Sequence, residues 1–206
     1  MVMLVQKKRI GIMGGTFDPI HYGHLVTAEA AQHRFALDQV IFVPSGRPPH
    51  KLSHRLTPAA ERLLMTLLAT VPNQNFVVSD WEEKREQISY TYDTVLAFHQ
   101  QFGDEAELFF ITGADAVLEI MQWRRIDELT DFCSFIAATR PGYHLDNFQA
   151  SPKLTAKLFF MEVPALAISS SDIRRRVAHG EPIKYLLPET VEMYIYKHGL
   201  YKEEII

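Results

Sequence analysis

The chain has 206 residues, 47% of them hydrophobic and 22% charged, which is the composition of an ordinary globular protein with a sizeable core. We expect one domain over residues 1–206. The net charge of −4 argues against a general nucleic-acid-binding protein, since such proteins concentrate positive charge over one face. No run of 18 apolar residues occurs and the first apolar stretch is too short for a signal peptide, so we expect no membrane association.

The only cysteine, Cys133, lies in the apolar run 132–136, where we expect a buried and unreactive thiol. A single cysteine excludes an internal disulfide, which fits a reducing, cytoplasmic location. The oligomeric state stays open, a homo-oligomer included, because a sequence does not distinguish an exposed apolar patch from core.

Short apolar runs alternate with helical patterns along the chain. The predicted strands are 9–13, 39–43, 75–79, 107–112, 133–138 and 157–162. The predicted helices are 22–36, 58–71, 91–102, 114–121, 170–179 and 188–197. Most of the strands are apolar without alternation, as strands covered on both faces must be. This order predicts an α/β fold with a doubly wound, mostly parallel sheet, and the proline-rich segment 44–57 predicts a loop and candidate lid.

The first strand runs into Gly14 and Gly15, and His21 and His24 follow at the start of the first helix. A Gly-Gly turn lets backbone N–H groups approach an anion, and the helix directs its positive end to the same place. The i, i+3 spacing puts both imidazoles on one face of the first turn, where they can donate to phosphoryl oxygens. The alternatives are a plain turn with surface histidines, and a zinc site that lacks a second ligand cluster.

A second group of polar residues lies near the C-terminus. Ser169, Ser170 and Ser171 precede Arg174 at a predicted helix start, which combines hydroxyl groups, unpaired N–H groups and a guanidinium. Arginine suits phosphate because its planar fork donates two parallel hydrogen bonds. The alternative is a serine-capped surface helix followed by a solvated arginine run.

These two segments together resemble the paired signatures of the nucleotidyltransferase superfamily. Residues 14–24 read GGTFDPIHYGH, similar to GGxFDPxHxGH, and residues 168–176 read ISSSDIRRR, similar to ISSTxIRxR. The departure is Ser171, where the family often has Thr, and both side chains carry a hydroxyl group. The resemblance implies a Rossmann-like nucleotidyltransferase fold that binds ATP, with Mg²⁺ carried on the triphosphate.

The motifs and the resemblance predict an ATP site. Its residues are Gly14, Gly15, Thr16, Phe17, His21, His24, Gly113, Asp115, Ile168, Ser169, Ser170, Ser171 and Arg174. The resemblance assigns catalysis to His21, His24 and Arg174, with His24 as the main stabiliser of the transition state. Asp115 follows a strand end and has a ribose as its expected partner, with helix capping as the alternative. No residue is assigned to a resident metal ion.

The middle of the chain is most similar to the nicotinate mononucleotide adenylyltransferases, which make deamido-NAD and pyrophosphate from ATP and nicotinate mononucleotide in NAD biosynthesis. Residues 89–94, SYTYDT, resemble that family's SYTxDT, in which a helix start meets the nicotinate carboxylate. Trp123 matches a tryptophan that stacks on the pyridine ring, with a core tryptophan as the alternative. Lys51 and Arg140 are expected at or beside the mononucleotide. The alternative for each is a solvated residue on the surface. The predicted residues of this second site are Lys51, Tyr90, Thr91, Tyr92, Trp123 and Arg140.

No nucleophile with an adjacent base is evident, so we expect direct in-line attack by the mononucleotide phosphate on the α-phosphorus of ATP. One rival keeps this chemistry with another acceptor, such as nicotinamide mononucleotide, phosphopantetheine or glycerol phosphate. A more distant rival is a nucleotide sensor without enzymatic activity. The intact histidine motif favours an enzyme over a nucleotide sensor. Residues 89–94 favour nicotinate mononucleotide over nicotinamide mononucleotide as the acceptor.

Overall fold

The computed structural model describes residues 7–48, 56–113, 123, 125–142 and 151–202. Six strands form one sheet in the order β3-β2-β1-β4-β5-β6, and all neighbouring strands are parallel. The strands are β1 (Lys8–Gly15), β2 (Gln39–Pro44), β3 (Phe76–Val78), β4 (Ala106–Gly113), β5 (Cys133–Thr139) and β6 (Leu158–Glu162). The helices are α1 (Tyr22–Arg34), α2 (Ala59–Thr70), α3 (Thr91–Phe102), α4 (Ile126–Phe132), α5 (Pro152–Thr155), α6 (Ser170–Ala178) and α7 (Glu189–His198).

The sheet separates two apolar cores. On one face, Met13 and Phe42 pack in a core with residues of α1, α2, α6 and α7. On the other face, Ile12 and Phe110 pack in a core with residues of α3, α4 and α5. Successive strand residues point to opposite faces, so a sheet covered on both sides needs apolar residues at consecutive positions. The predicted doubly wound α/β fold is confirmed, with a sheet whose described pairings are all parallel.

Most of the predicted elements are found with ends shifted by a few residues. The helix predicted at 114–121 lies outside the described residues. The structure adds the short helices α4 and α5 and a 3₁₀ turn at Gly103–Glu105. These elements are too short to show the apolar period of a longer helix. None of the described helices has the length and apolar character needed to cross a bilayer.

The prediction of a turn at Gly14 and Gly15 is wrong, because strand β1 continues through both residues. They lie in register with Val43 and Pro44 of β2, so the parallel pairing extends to the end of the motif's glycine pair. The glycines are required for space: a Cβ atom at Gly15 would lie 2.6 Å from the Phe17 ring. The chain therefore turns after the glycines, in the loop 16–21.

The environment of Cys133 predicts its reactivity. The side chain is buried at the start of β5, as expected, and burial raises the pKa of its thiol to about 12. Because the thiolate is the reactive form, we expect no reaction of the native protein with Ellman's reagent at pH 8 within minutes. After unfolding in guanidinium chloride, one thiol per chain should react. Rapid reaction of one thiol in the native protein would contradict the burial.

Candidate functional site

Helices α1, α3 and α6 are among those that begin at the carboxyl edge of the sheet. Helix α1 follows β1, α6 follows β6, and α3 precedes β4 and therefore starts at the same edge. Open parallel sheets bind their ligands at this edge, where helix starts present N–H groups. A cleft of about 420 Å³ lies there. Its lining residues are His21, Gly23, His24, Thr27, Gly113, Ala138, Arg140, Val163, Pro164, Leu166 and Ile168.

His21 and His24 cap the start of α1 reciprocally. His21 is the N-cap rather than a residue of the first turn, and its Nδ1 accepts a hydrogen bond from the backbone N–H of Gly23 at 3.1 Å. Nδ1 of His24 accepts from the backbone N–H of His21 at 3.2 Å. The ring centroids are 3.8 Å apart. Since a ring nitrogen that accepts carries no proton, the neutral form of each ring has its proton on Nε2.

Two neighbouring motif residues hold these rings in place. A Cβ atom at Gly23 would lie 2.9 Å from Nδ1 and Cε1 of His21, so only glycine leaves room for the ring. The buried Phe17 ring meets His24 edge to face, with centroids 5.0 Å apart and planes at 90°. Phe17 and Gly23 of the motif therefore help to fix the orientation of its two histidine rings.

Burial controls the charge of His21, whose side chain is 6% exposed. Removal from water disfavours the charged imidazolium and lowers the pKa of His21 to about 4. At neutral pH this residue acts as a hydrogen-bond donor without a positive charge.

Helix α6 brings the second predicted cluster to the loop before α1. Ser169 is the N-cap of α6, and its Oγ accepts from the backbone N–H three residues on, at 3.1 Å. Oγ of Ser170 donates to the carbonyl of Pro19 at 2.8 Å. Nη1 of the half-buried Arg174 donates to the carbonyl of Asp18 at 2.7 Å. The two sequence motifs, far apart in the chain, are thus in direct contact.

The rest of this segment has the features of a serine-capped surface helix, the alternative that the sequence left open. Arg175 and Arg176 form ion pairs with the carboxylates of Asp172 and Glu181. Ser171 is exposed, and its Oγ lies 3.2 Å from that of the capping serine. The first arginine of the run therefore has a different environment from the next two.

The residues predicted for the second substrate lie at the start of α3 and beside it. Tyr90 is the N-cap and Thr91 the first helical residue, and the side chain of Tyr90 does not cap this helix start. An uncapped start leaves N–H groups for a carboxylate from outside. Tyr92 is 6% exposed and its ring packs against Phe132, so its phenol belongs to the core. Its backbone at the helix start is what a ligand can reach.

Trp123 packs edge to face against two core rings, with centroid distances of 5.5 Å to Phe110 and 6.3 Å to Phe135. The indole is half-buried, so it packs on the core and keeps part of its surface exposed, and stacking on a ligand stays a prediction. Lys51 and Asp115 lie outside the described residues.

Five predicted residues line the cleft together. Four come from the predicted ATP set, namely His21, His24, Gly113 and Ile168, and the fifth, Arg140, was predicted at the mononucleotide. A Cβ atom at Gly113 would meet no atom of the described residues within 4 Å. Arg140 follows β5 and is brought to the histidines by the parallel pairing of the strands.

A buried polar network behind the histidine motif was not predicted from the sequence. Asp18 is 1% exposed, and its carboxylate accepts from the hydroxyl of Tyr201 at 2.7 Å and from the backbone N–H of Thr57 at 3.3 Å. Arg62 is also 1% exposed. A signal existed for Arg62: it lies three residues before the buried Met65, on the apolar face of α2.

The parallel sheet, with anchored hydrogen-bond donors at its carboxyl edge, defines a nucleotide-binding α/β protein. The sequence profile of the cytidylyltransferase-like family matches residues 12–176. The chain is 57% identical to the probable nicotinate-nucleotide adenylyltransferase of Moorella thermoacetica, over 100% of this chain and 97% of that protein. It is 55% identical to the probable nicotinate-nucleotide adenylyltransferase of Thermoanaerobacter sp., over 95% of each.

The fold is also similar to that of the solved Plasmodium falciparum nicotinic acid mononucleotide adenylyltransferase complexed with NaAD. The TM-score is 0.73 at 23% identity, over 97% of this chain and 100% of that one. This chain belongs to the cytidylyltransferase-like family and, within it, to the nicotinate-nucleotide adenylyltransferases.

The neutral state of His21 makes the fold sensitive to acid. The unfolded imidazole takes up a proton near pH 6.5 and the folded one only near pH 4, so stability is lost as the pH falls between these values. Asparagine at this position keeps a cap acceptor but does not titrate. Between pH 6.5 and 4.5, urea unfolding should show that His21→Asn loses about 2 kcal/mol less unfolding free energy than the wild type.

The control for this prediction is His33→Asn, since His33 is an exposed histidine on the same helix. That variant should follow the wild type at both pH values. Equal losses in the wild type and in His21→Asn would contradict the neutral, buried state of the cap.

Proposed function

We propose that this protein transfers the adenylyl group of ATP to nicotinate mononucleotide, forming deamido-NAD and releasing pyrophosphate. The observation that carries this proposal is the capped histidine pair, two Nε2–H donors with ring centroids 3.8 Å apart at the wall of the cleft. The names of relatives at 57% and 55% identity support both the reaction and the acceptor.

ATP occupies the cleft with its phosphates at the start of α1, where His21 and His24 donate to phosphoryl oxygens. The glycine pair before the loop lets the backbone come close to the triphosphate. The apolar side of the cleft, which includes Val163 and Leu166, receives the adenine ring. We retain Asp115 as the predicted partner of the ribose.

The reaction needs no covalent intermediate with the protein. An oxygen of the mononucleotide phosphate attacks the α-phosphorus and forms the new P–O bond. The bond from the α-phosphorus to the oxygen bridging to the β-phosphorus breaks, and its electron pair leaves with pyrophosphate. His24 stabilises the charge on the transferring group, and the guanidinium nitrogens of Arg174 not bonded to Asp18 hold the leaving phosphates.

Mg²⁺ enters as part of the substrate. The described part of the chain holds no group of three or more His, Cys, Asp or Glu side chains placed to bind a metal ion. Mg²⁺ favours phosphate oxygens and water over an all-protein cage, so the triphosphate is its natural carrier. Bound there, it neutralises phosphate charge and supplements the donors of the cleft.

The mononucleotide binds between α3 and the cleft. The uncapped start of α3 at Tyr90 and Thr91 receives the nicotinate carboxylate, and the half-buried indole of Trp123 stacks on the pyridine ring. Arg140 lines the cleft beside the histidines, so we place it where the mononucleotide phosphate meets ATP. Lys51 is retained as a second partner of that phosphate.

We place the reaction in the cytoplasm. The only cysteine of the chain is a free, buried thiol, which is compatible with a reducing compartment.

Replacement of His24 tests the catalytic assignment. His24→Ala removes a donor to the charge that develops on the transferring group, so kcat should fall on the order of 100- to 1,000-fold. The matched control is His33→Ala, an exposed histidine in the last turn of the same helix, which should keep the wild-type rate. Pyrophosphate release gives the rates, and circular dichroism checks that both variants fold. A His24→Ala rate within threefold of the wild type would refute the role.

A comparison of acceptors tests the substrate. Pyrophosphate release from ATP and Mg²⁺ is measured with nicotinate mononucleotide and with its amide, and the two kcat/KM values are compared. The positive end of α3 favours a carboxylate, so the acid should be preferred by about tenfold or more. Equal values would overturn the assigned specificity. Release only with phosphopantetheine or glycerol phosphate would assign another acceptor.

A further inference from the structure

One buried side chain connects three separate segments of the site. Arg62 lies in the first turn of α2 and is 1% exposed. Its Nε donates to the carbonyl of Thr57 at 2.9 Å, its Nη1 to the carbonyl of Thr16 at 2.8 Å and its Nη2 to the carbonyl of Gly46 at 3.2 Å. The three acceptors belong to the loop before α1, to the turn after β2 and to the residue before the N-cap of α2.

The first of these contacts reaches the histidines. Thr16 directly precedes Phe17, whose ring supports His24 edge to face at 5.0 Å. A shift of the Thr16 carbonyl therefore moves the side chain that orients the imidazole.

The second contact reaches the start of α3. Gly46 is followed by Arg47, whose carbonyl accepts from the backbone N–H of Ser89 at 3.0 Å and whose own N–H donates to Oγ of Ser89 at 3.2 Å. Ser89 lies immediately before Tyr90, the N-cap of α3. The Gly46 turn is thus bonded to the segment proposed to receive the nicotinate carboxylate.

Burying a guanidinium is costly, and the structure compensates the charge. Burial lowers the pKa of Arg62, and the nearby Asp18, Tyr201 and Glu82 act in the opposite direction. A methionine or leucine here would continue the apolar face of α2 beside Met65 without this cost. An apolar side chain would not hold any of the three carbonyls.

We propose that Arg62 is a positioning residue that sets the spacing between the ATP-phosphate loop and the loop of the second substrate. The inference rests on the proposed function for the identity of the substrates. In-line transfer requires both reactants to be held in one geometry, and a displacement of about 1 Å can cost on the order of 100-fold in rate. Arginine can do this because its planar fork offers five donors in fixed directions, whereas lysine offers a point charge.

Kinetics of two variants test the proposal. Arg62→Gln should lower kcat/KM on the order of 100-fold and raise KM for ATP and for the mononucleotide together. Arg62→Lys keeps the positive charge but not the planar fork of donors, so its kcat/KM should lie between those of Arg62→Gln and the wild type. The control is Thr70→Val on the same buried face, since within the described part of the chain the Thr70 hydroxyl donates only to carbonyls of its own helix. Its kcat/KM should stay within twofold of the wild type.

Hydrogen–deuterium exchange provides a readout that does not depend on activity. Amides of residues 16–25 and 42–47 should exchange faster in both Arg62 variants at a temperature where circular dichroism shows a folded chain, and should not change in Thr70→Val. If Arg62→Gln does not fold, the exchange rates are measured in Arg62→Lys alone.

The outcomes separate this inference from the proposed function. Unchanged exchange and unchanged KM values in Arg62→Lys and Arg62→Gln would overturn the positioning role. Equal kinetic losses in Thr70→Val would reduce Arg62 to a contributor to stability and would also overturn it. A third outcome combines faster exchange of residues 16–25 and 42–47 in the Arg62 variants with a wild type that transfers no adenylyl group to the mononucleotide. It would support the positioning role of Arg62 and refute the proposed function.

Discussion

The start of helix α1 depends on an exchange of hydrogen bonds between two imidazoles and two backbone N–H groups. Every helix start needs acceptors for its unpaired amides, and serine or aspartate would suffice for that purpose. Histidine differs because its ring has a second nitrogen. When Nδ1 of His21 and His24 caps the helix, the neutral ring must carry its proton on Nε2. The same bonds therefore build the helix and fix the donors of the site.

Burial gives this cap an electrostatic consequence. His21 stays uncharged at neutral pH, so it can contact phosphate without placing a buried cation beside the guanidinium groups of the site. Positive charge comes instead from Arg140 in the cleft, from Arg174 on α6 and, in the proposed reaction, from Mg²⁺ on ATP. Arg174 is anchored by one nitrogen to a backbone carbonyl, which fixes its fork without neutralising its charge. The neutral His21 thus supplies an oriented hydrogen-bond donor, and the arginines and Mg²⁺ supply the positive charge.

The sequence predicted the sheet and the starts of α1, α3 and α6 well, since each has a local pattern of apolar runs or capping residues. It misplaced the turn at Gly15, because glycine signals a need for space as readily as a turn, and here the need comes from the Phe17 ring. The placement of Arg140 at the mononucleotide stays a prediction, and strand pairing brings this residue to the cleft beside the histidines. The contacts of Arg62 have no sequence signature, because all three acceptors are backbone carbonyls.

Contacts to backbone carbonyls also determine which loop positions are constrained. Arg62 holds its three partners through groups that almost any residue provides, so the side chains at positions 16 and 57 are not fixed by this linkage. Gly46 is different, because a Cβ atom there would lie 2.1 Å from the carbonyl oxygen of Glu82. The turn after β2 can approach both the guanidinium and the segment leading to α3 only without a side chain. In the proposed reaction, the spacing of the two substrate loops therefore depends on the buried charge of Arg62 and on the absence of a side chain at Gly46.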